Sequence, residues 1–485
     1  MSGNKTFQKD FLASIVVFLV ALPLCMGISI ASGCPPILGL ISGIIGGIVI
    51  GTFSGAPLQV SGPAAGLAVM VYEVVEKYGL EALAPLGIIV GICQVLMWVL
   101  NLSDYFKAIS PSLVKGLLSG IGFLILSSQL FVALDIKPVG TGLNNLMSIS
   151  GAFYDQVIAS GSGRGALYIC LATLAAIILW DKFFNKLAKI FPPALLSVVV
   201  ATVIAFIFGS EIKYVSLPKN ILNELNFMTL DSLKILSFGF VVKAIGIALV
   251  ASAETLLSTS AIDRLSGRKS NYNKEMLAQG IGNSIAGFLG ALPITGVIVR
   301  SSANLSSGAE TRSSTILHGI WLILMVFVFT SVLELIPMAS LAGVLIFTGW
   351  KLLDVKSIPG LIKKSKNEAI IYFVTFGLIV SVDLLTGVVA GFITSLFLLA
   401  KANKGLKIKE NLNNGSAVFK LEGNASFLQI PKISNLIYNP KFLNGLSSVT
   451  LDISNLKYID WAVEEQLESY KILQEKNGVP TSIQK

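Results

Sequence analysis

The chain has 485 residues, of which 54% are hydrophobic and only 13% charged, with a mean hydropathy of +0.78. Ordinary soluble domains carry about 25% charged residues, so a soluble globular protein is excluded and a polytopic membrane protein is implied. The formal net charge of +9 would suggest a nucleic-acid partner in a soluble chain; here the placement of the charges among loops matters more than their sum. Cys25, Cys34, Cys93 and Cys170 stand singly in apolar surroundings, with neither metal-type spacing nor a disulfide framework. The lone histidine, His318, leaves no basis for a His-based metal centre or triad.

Residues 1–10 lead directly into an apolar run from Phe11 with no small-residue cleavage site, which reads as a retained first span and not a signal peptide. On the criterion of ~20 apolar residues per span, segments fall near 11–32, 36–54, 62–73, 84–102, 112–133, 163–180 and 193–209. A second set falls near 235–262, 274–290, 297–307, 313–335, 339–350, 368–383 and 385–400. The third and tenth are too short to cross alone. With a cytoplasmic N-terminus, the loops after segments six, eight, twelve and fourteen are also cytoplasmic. They hold 16 basic residues, among them Lys182, Arg268, Lys351 and Lys401, as expected of cytoplasmic loops. The two longest loops on the other side, 134–165 and 210–234, balance their few basic residues with acids.

Segment three begins at Pro57-Leu-Gln-Val-Ser-Gly-Pro63 and segment ten at Leu292-Pro293-Ile-Thr-Gly296. Both read as extended residues entering a helix whose first turn leaves backbone N–H groups and a positive dipole end unpaired. Such a terminus is an anion site built from backbone; the alternative is an ordinary Pro/Gly kink. Interrupted short segments at corresponding places in two halves point to an inverted-repeat transporter. The expected fold is an all-α membrane protein of 14 segments in a 7+7 inverted repeat with two half-helices. The repeats cover about 10–210 and 234–402 within a transmembrane domain of 1–405. Residues 413–485 form a small cytoplasmic α/β tail, with strands near Ser416–Leu421 and Ser447–Ile453, a helix near Pro431–Tyr438, and an amphipathic helix over 460–474.

These residues resemble the SulP (sulfate permease) anion transporters over essentially the whole chain. The matching stretches are ALPLCMGISIASGCPPILGL (21–40), QVSGPAAG (59–66), SAETLLSTSAIDR (252–264) and GALPITGVIVRSSANLSSGAETR (290–312), and LDISNLKYIDW (451–461) is similar to the core of a STAS domain. The tail stops a strand and a helix short of a complete one. The resemblance implies a core domain of segments 1–4 and 8–11, a gate domain of segments 5–7 and 12–14, dimers, and an elevator-like shift of the core. It also implies an anion held between segments three and ten. Leu24 and Ile28, beside a break at Leu22-Pro23-Leu24, and Pro63, Ala64, Ala65 and Gly66 match the walls of the site. Thr295, Gly296, Val297 and Arg300 match its other half. Leu24 and Ala64 depart from relatives with polar or aromatic residues there, so binding would lean on the N–H groups of Ala64–Gly66 and Gly296–Ile298.

Glu254 lies mid-segment, where an ionised carboxylate costs ~3 kcal/mol or more and must face the bundle interior or a wet cavity. It matches the family's acidic coupling position, with Ser258 one turn on; a protonated Glu bonded to a neighbouring helix is the structural alternative. Sodium-coupled relatives carry Asp, Thr and a further Thr where this chain has Glu254, Ser258 and Ile298. A hard cation wants several oxygens, so coupling to a proton through Glu254 is expected, with sodium at Glu254, Ser258 and Gly296 as the alternative. Arg300, one turn into segment ten, is read either as an attractor for the anion or as an ion pair with Glu254 or Glu310. His318, Glu334, Asp383, Asp452 and Asp460 are read as structural.

The function expected is secondary active transport of a small inorganic anion, bicarbonate or sulfate, by a homodimer in a bacterial-type inner membrane with both termini cytoplasmic and no cofactor. An uncoupled chloride exchanger or channel is the alternative, and a non-transporting scaffold a further one. An enzyme is excluded by the lack of any phosphate loop or nucleophile constellation.

Overall fold

The computed structural model describes the chain except residues 1, 104–109, 140–141, 185–190, 209–211, 218–224, 230, 365, 403–405, 414–415, 427–428, 438–445, 460 and 485. In chain order the first elements are α1 (Ser2–Ala31), α2 (Pro36–Ile45), β1 (Ser61–Pro63), α3 (Ala65–Tyr78), α4 (Leu83–Val99), α5 (Pro111–Val132), α6 (Gly142–Phe153), α7 (Arg164–Phe183) and α8 (Pro193–Phe208). There follow α9 (Phe238–Ser266), α10 (Tyr272–Phe288), β2 (Ile294–Gly296), α11 (Ile298–Ser306), α12 (Ser313–Val328), α13 (Met338–Leu353), α14 (Lys366–Ser381) and α15 (Leu384–Ala402). A helix lies on each of the fourteen stretches read as segments. Among the described residues, seven helices are long and apolar enough to cross a membrane by length and composition. With 14 and 9 residues, α3 and α11 are not among them.

Two local expectations are corrected. The break at Leu22-Pro23-Leu24 is absent: α1 runs through Pro23 as one 30-residue helix. Proline forfeits one backbone bond there, but the flanking turns of α1 remain helical. The stretch 134–165, read as a loop, carries α6 and a wider π-helical turn over Tyr154–Ala159. Its polar residues Asn144, Asn145 and Ser148 break any 20-residue apolar run, which is what hid the helix.

The described residues form two compact units. The first, Met1–Asn101, Ser119–Ile262 and Ser270–Leu353, contains both short strands. Glycine sets its close contacts. A Cβ on Gly87 of α4 would fall 2.5 Å from Gly287 Cα of α10, and one on Gly280 would fall 3.0 Å from the Gly91 carbonyl oxygen. Small residues let the two backbones touch, as helices in membranes do where no hydrophobic force drives them together. After α2 the helix widens into a π turn at Gly46–Ile50. There a Cβ on Gly46 would lie 2.3 Å from the Ser61 carbonyl oxygen, so the widened turn makes room for β1.

The second unit, Leu102–Leu118, Asp263–Lys269 and Asp354–Lys485, carries a four-stranded sheet. Its strands β3 (Leu406–Asn413), β4 (Ser416–Ala425), β5 (Ser448–Ile459) and β6 (Thr481–Gln484) are arranged in sequence order. The β3–β4 pair is antiparallel, and β4–β5 and β5–β6 are parallel. Parallel neighbours need crossovers, supplied by α16 (Ile430–Ile437) and α17 (Trp461–Lys476). Phe419, Leu421, Leu451, Ile433, Val463, Leu467 and Tyr470 close one core between sheet and helices. The amphipathic helix expected over 460–474 is α17, which buries Val463, Leu467 and Tyr470 and leaves Leu473 half-buried, while β3 and β6 are additional to the two expected strands. Hydrogen bonds from the Ser454 hydroxyl and N–H hold the Asp452 carboxyl below the usual carboxylate range. Asp460 lies outside the described residues.

Candidate functional site

The two interrupted segments meet as a strand pair. β1 and β2 are antiparallel, with Ser61 opposite Gly296, Gly62 opposite Thr295 and Pro63 opposite Ile294. The Val297 N–H extends the ladder to the Val60 carbonyl at 2.9 Å. Non-helical backbone at membrane depth survives only where its polar groups are met within the protein, and each strand meets those of the other. Helices α3 and α11 leave from opposite ends of this ladder. Their N-caps, Ala64 (φ −110°, ψ 136°) and Val297 (φ −108°, ψ 116°), have nearly the same extended geometry, and no side chain caps either helix.

The N–H groups expected to face an anion are only partly free to do so. Gly296 N–H donates to Thr255 Oγ1 at 3.0 Å and Val297 N–H to Val60. Of the Gly296–Ile298 set, only Ile298 lies past the ladder, so the backbone site rests more on Ala64, Ala65 and Gly66. Leu24, Ile28 and Ala64 are buried, and Ala65 and Val297 half-buried, leaving an apolar wall.

Arg300 is fully buried in α11. Its Nη2 donates to the Pro63 carbonyl and its Nη1 to Cys25 Sγ, both at 3.3 Å, and its Nε has no hydrogen-bond partner in the protein. A Cβ on Gly62 would lie 2.2 Å from Nη1, so glycine at 62 is what lets the guanidinium lie against β1. Of the two readings of Arg300, the ion pair is not found: among the described residues Arg300 pairs with neither Glu254 nor Glu310, and Glu310 meets Lys9. The guanidinium sits on the strand side of α11, and its contacts are a carbonyl and a thiol.

Glu254, in the middle of α9, lies against Gly66: a Cβ there would be 1.7 Å from Oε1. Its Oε2 is buried without a hydrogen-bond partner, as is Thr295 Oγ1, and Thr295 stands close enough to act on the carboxyl. Ser258, one turn on, donates to the Gly296 carbonyl at 2.8 Å. The structure thus brings Glu254, Ser258, Thr295, Gly296 and Gly66 together, with Pro63 and Arg300 adjoining. His318, also fully buried, has neither ring nitrogen hydrogen-bonded. Glu334 is exposed, and Asp383 caps α15 through Thr386 N–H and Oγ1.

What the residue-by-residue reading missed is the polar stripe of α10. Glu275, Gln279 and Asn283 recur every fourth residue and are all fully buried, and that spacing puts them on one helix face. Asn283 brackets Ile294 of β2, accepting from its N–H (2.7 Å) and donating to its carbonyl (2.9 Å). The stripe was legible as a period of four along the helix.

Comparison with known proteins follows the same lines. A family model described as the sulfate permease family matches residues 7–375. The chain belongs to the sulfate permease family. A putative sulfate transporter, YvdB of Bacillus subtilis, is 30% identical over 414 residues, covering 83% of this chain and 75% of that protein. The bicarbonate transporter BicA of Picosynechococcus is 25% identical, covering 80% and 69%. Among solved structures, the transmembrane domain of a cyanobacterial BicA superposes with a TM-score of 0.69 at 25% identity, covering 79% of this chain and 97% of that one. The murine anion transporter Slc26a9 in its inward-facing state gives 0.71 at 16% identity, covering 98% and 85%, and shows the shared fold. The protein is an integral membrane protein of an anion-transporting family, not an enzyme.

Proposed function

We propose that this chain is a secondary active transporter of a small inorganic anion, bicarbonate or sulfate, driven by protons through Glu254. The observation that carries the reading is the antiparallel pair β1–β2. It presents two uncapped helix starts, with the buried Arg300 guanidinium at Pro63 and the buried Glu254 carboxyl, whose Oε2 has no hydrogen-bond partner, at Gly66. An anion would bind at the Ala64–Gly66 and Ile298 N–H groups, walled by Leu24 and Ile28, with Arg300 supplying charge through the strand. A carboxylate held beside these groups gives the anion a means of coupling: protonating Glu254 removes a negative charge next to the site.

Sodium is the second reading. The oxygens of Glu254, Ser258 and Gly296, joined by Thr295 Oγ1, are the donor type a hard cation uses, whereas Ile298 brings no hydroxyl. The remaining parts of the proposal are the core and gate division, inverted repeats, elevator motion, a homodimer, an inner membrane with cytoplasmic termini, and residues 413–485 as a STAS-like module. They rest on family membership and on the asymmetry of Lys and Arg among the loops.

The test is uptake of radiolabelled bicarbonate, sulfate and chloride into proteoliposomes under separate pH and sodium gradients. Proton coupling requires concentrative uptake under the pH gradient alone, abolished in Glu254→Gln while exchange of anion for anion survives. Uptake indifferent to both gradients would leave an uncoupled exchanger, and no flux of any anion would leave a scaffold.

A further inference from the structure

A second carboxylate, Glu275 of α10, has no part in that scheme, yet it is fully buried and none of the described ion pairs involves it. Both its oxygens are taken up. Oε2 accepts from the Ser54 hydroxyl (2.5 Å), Gly55 N–H (3.0 Å) and Ala56 N–H (3.2 Å). Oε1 accepts from Gln59 Nε2 (3.3 Å) and Gln279 Nε2 (2.9 Å). Two of these five donors, the Gly55 and Ala56 N–H groups, are backbone and cannot reverse their role, and the Gln59 and Gln279 amides both present their NH2 ends. The pocket therefore suits a group with acceptors on both sides, as a carboxylate has and an amide has not.

The contacts continue from Gln59 into the site. Its Nε2 is held by Glu275 while its Oε1 accepts from Thr259 Oγ1 of α9 at 2.6 Å, so the amide has one orientation only. In that orientation it occupies the space that a side chain at Gly296 would need: a Cβ there would be 1.8 Å from Nε2. Gly296 in turn bonds Thr255 through its N–H and Ser258 through its carbonyl. Gln279, besides meeting Glu275, donates to Ser61 Oγ at 2.9 Å. One carboxylate thus gathers residues 54–61, α9, α10 and β2.

We propose that Glu275 is a positioning residue that clamps residues 54–61 onto α10 and, through Gln59 wedged against Gly296, presets the anion and coupling site. Its effect on transport rests on the transport reading above; the clamp itself does not. Both parts can be read separately in purified full-length protein. Hydrogen–deuterium exchange reads the clamp, and proteoliposome uptake reads its consequence. Glu275→Gln turns an amide NH2 toward the Gln59 and Gln279 NH2 groups, so either a buried donor is left unsatisfied or Gln59 turns over against Gly296, and local exchange should quicken about 10-fold over 54–63 and 294–298. The KM for anion should rise by about the same factor with Vmax changed less. Adding Gln59→Glu to Glu275→Gln restores an acceptor at the same junction and should return both readouts most of the way. Should Glu275→Gln fail to fold, Gln59→Leu keeps the Ser54–Ala56 bonds and cuts only the relay, so exchange should rise at 294–298 and not at 54–56. Exchange unchanged in these segments, or faster uniformly over all helices, overturns the proposal. A wild-type chain that moves no anion defeats the transport reading and leaves the exchange result to decide the clamp.

Discussion

Replacing Gly66 by alanine adds a single methyl at the point where α3 meets the Glu254 carboxyl. That methyl would stand 1.7 Å from Oε1 and 2.7 Å from Cδ of Glu254, whereas ordinary contact begins at about 3.4 Å. Either α3 or the carboxyl must give way by about 1.7 Å, the difference between the Oε1 distance and that ordinary contact. The first turn of α3 follows directly from the β1–β2 ladder, whereas Glu254 ends a flexible side chain whose Oε2 has no bond to lose. The carboxyl is what moves. Global stability should therefore fall by no more than the ~1–3 kcal/mol typical of overpacking. A binding constellation, by contrast, tolerates only about 0.5 Å, so the coupling site proposed at Glu254 should be lost. In proteoliposomes, Gly66→Ala should reduce gradient-driven uptake at least about 10-fold while the protein remains monodisperse and folded. Glu254→Asp in the same chain withdraws the carboxyl by one methylene, and the double variant should recover driven uptake that Gly66→Ala alone lacks. Wild-type coupling in Gly66→Ala, or a double variant worse than either single one, would refute the placement of Glu254 against α3.

Arg300→Lys keeps the charge but cannot span the Pro63 carbonyl and Cys25 Sγ together; a thermal-shift assay should show a loss of roughly 1–3 kcal/mol, and anion KM should rise. Gly287→Ala would press a methyl 2.4 Å from Ile88 N and 2.6 Å from Gly87 C, backbone that cannot step aside. Its melting temperature should drop more than that of Gly66→Ala, by light-scattering or fluorescence scan. Tyr470→Ala removes a fully buried ring from the tail core, at about 3–5 kcal/mol. Limited proteolysis should then cut within 406–484 while the membrane helices stay protected.

Much of the scaffold could be read in the chain because it is written in local terms. Apolar runs marked the helices, and Pro57–Pro63 and Leu292–Gly296 marked the two interruptions. Glu254 stood out because burying a carboxylate is costly. What could not be read depends on contacts between distant residues. Nothing near Gly296 says that its N–H is already spent on Thr255, nor near Arg300 that its partners are Cys25 and Pro63. The ion-pair reading of Arg300 fails because it matches charge alone, without the Pro63 carbonyl and Cys25 thiol that lie within reach. Glu275 escaped notice because it follows Lys274 near a segment end, where a charge looks solvated. Pro23 misled in the opposite direction, since a long helix held by its neighbours tolerates one missing bond.

The β1–β2 ladder also bears on how the chain is made. The Val60 N–H and the Ser301 hydroxyl of α11, bonded at 2.9 Å beside the ladder, are 241 residues apart. At about 5–20 residues per second, some ten to fifty seconds of synthesis separate the first strand from its partner. Throughout that interval Ser61–Pro63 lack the strand that meets their backbone polar groups in the finished fold, beside a bilayer that offers no hydrogen bonds. The nascent first half must wait at the insertion machinery, or at the aqueous interface, until the second arrives.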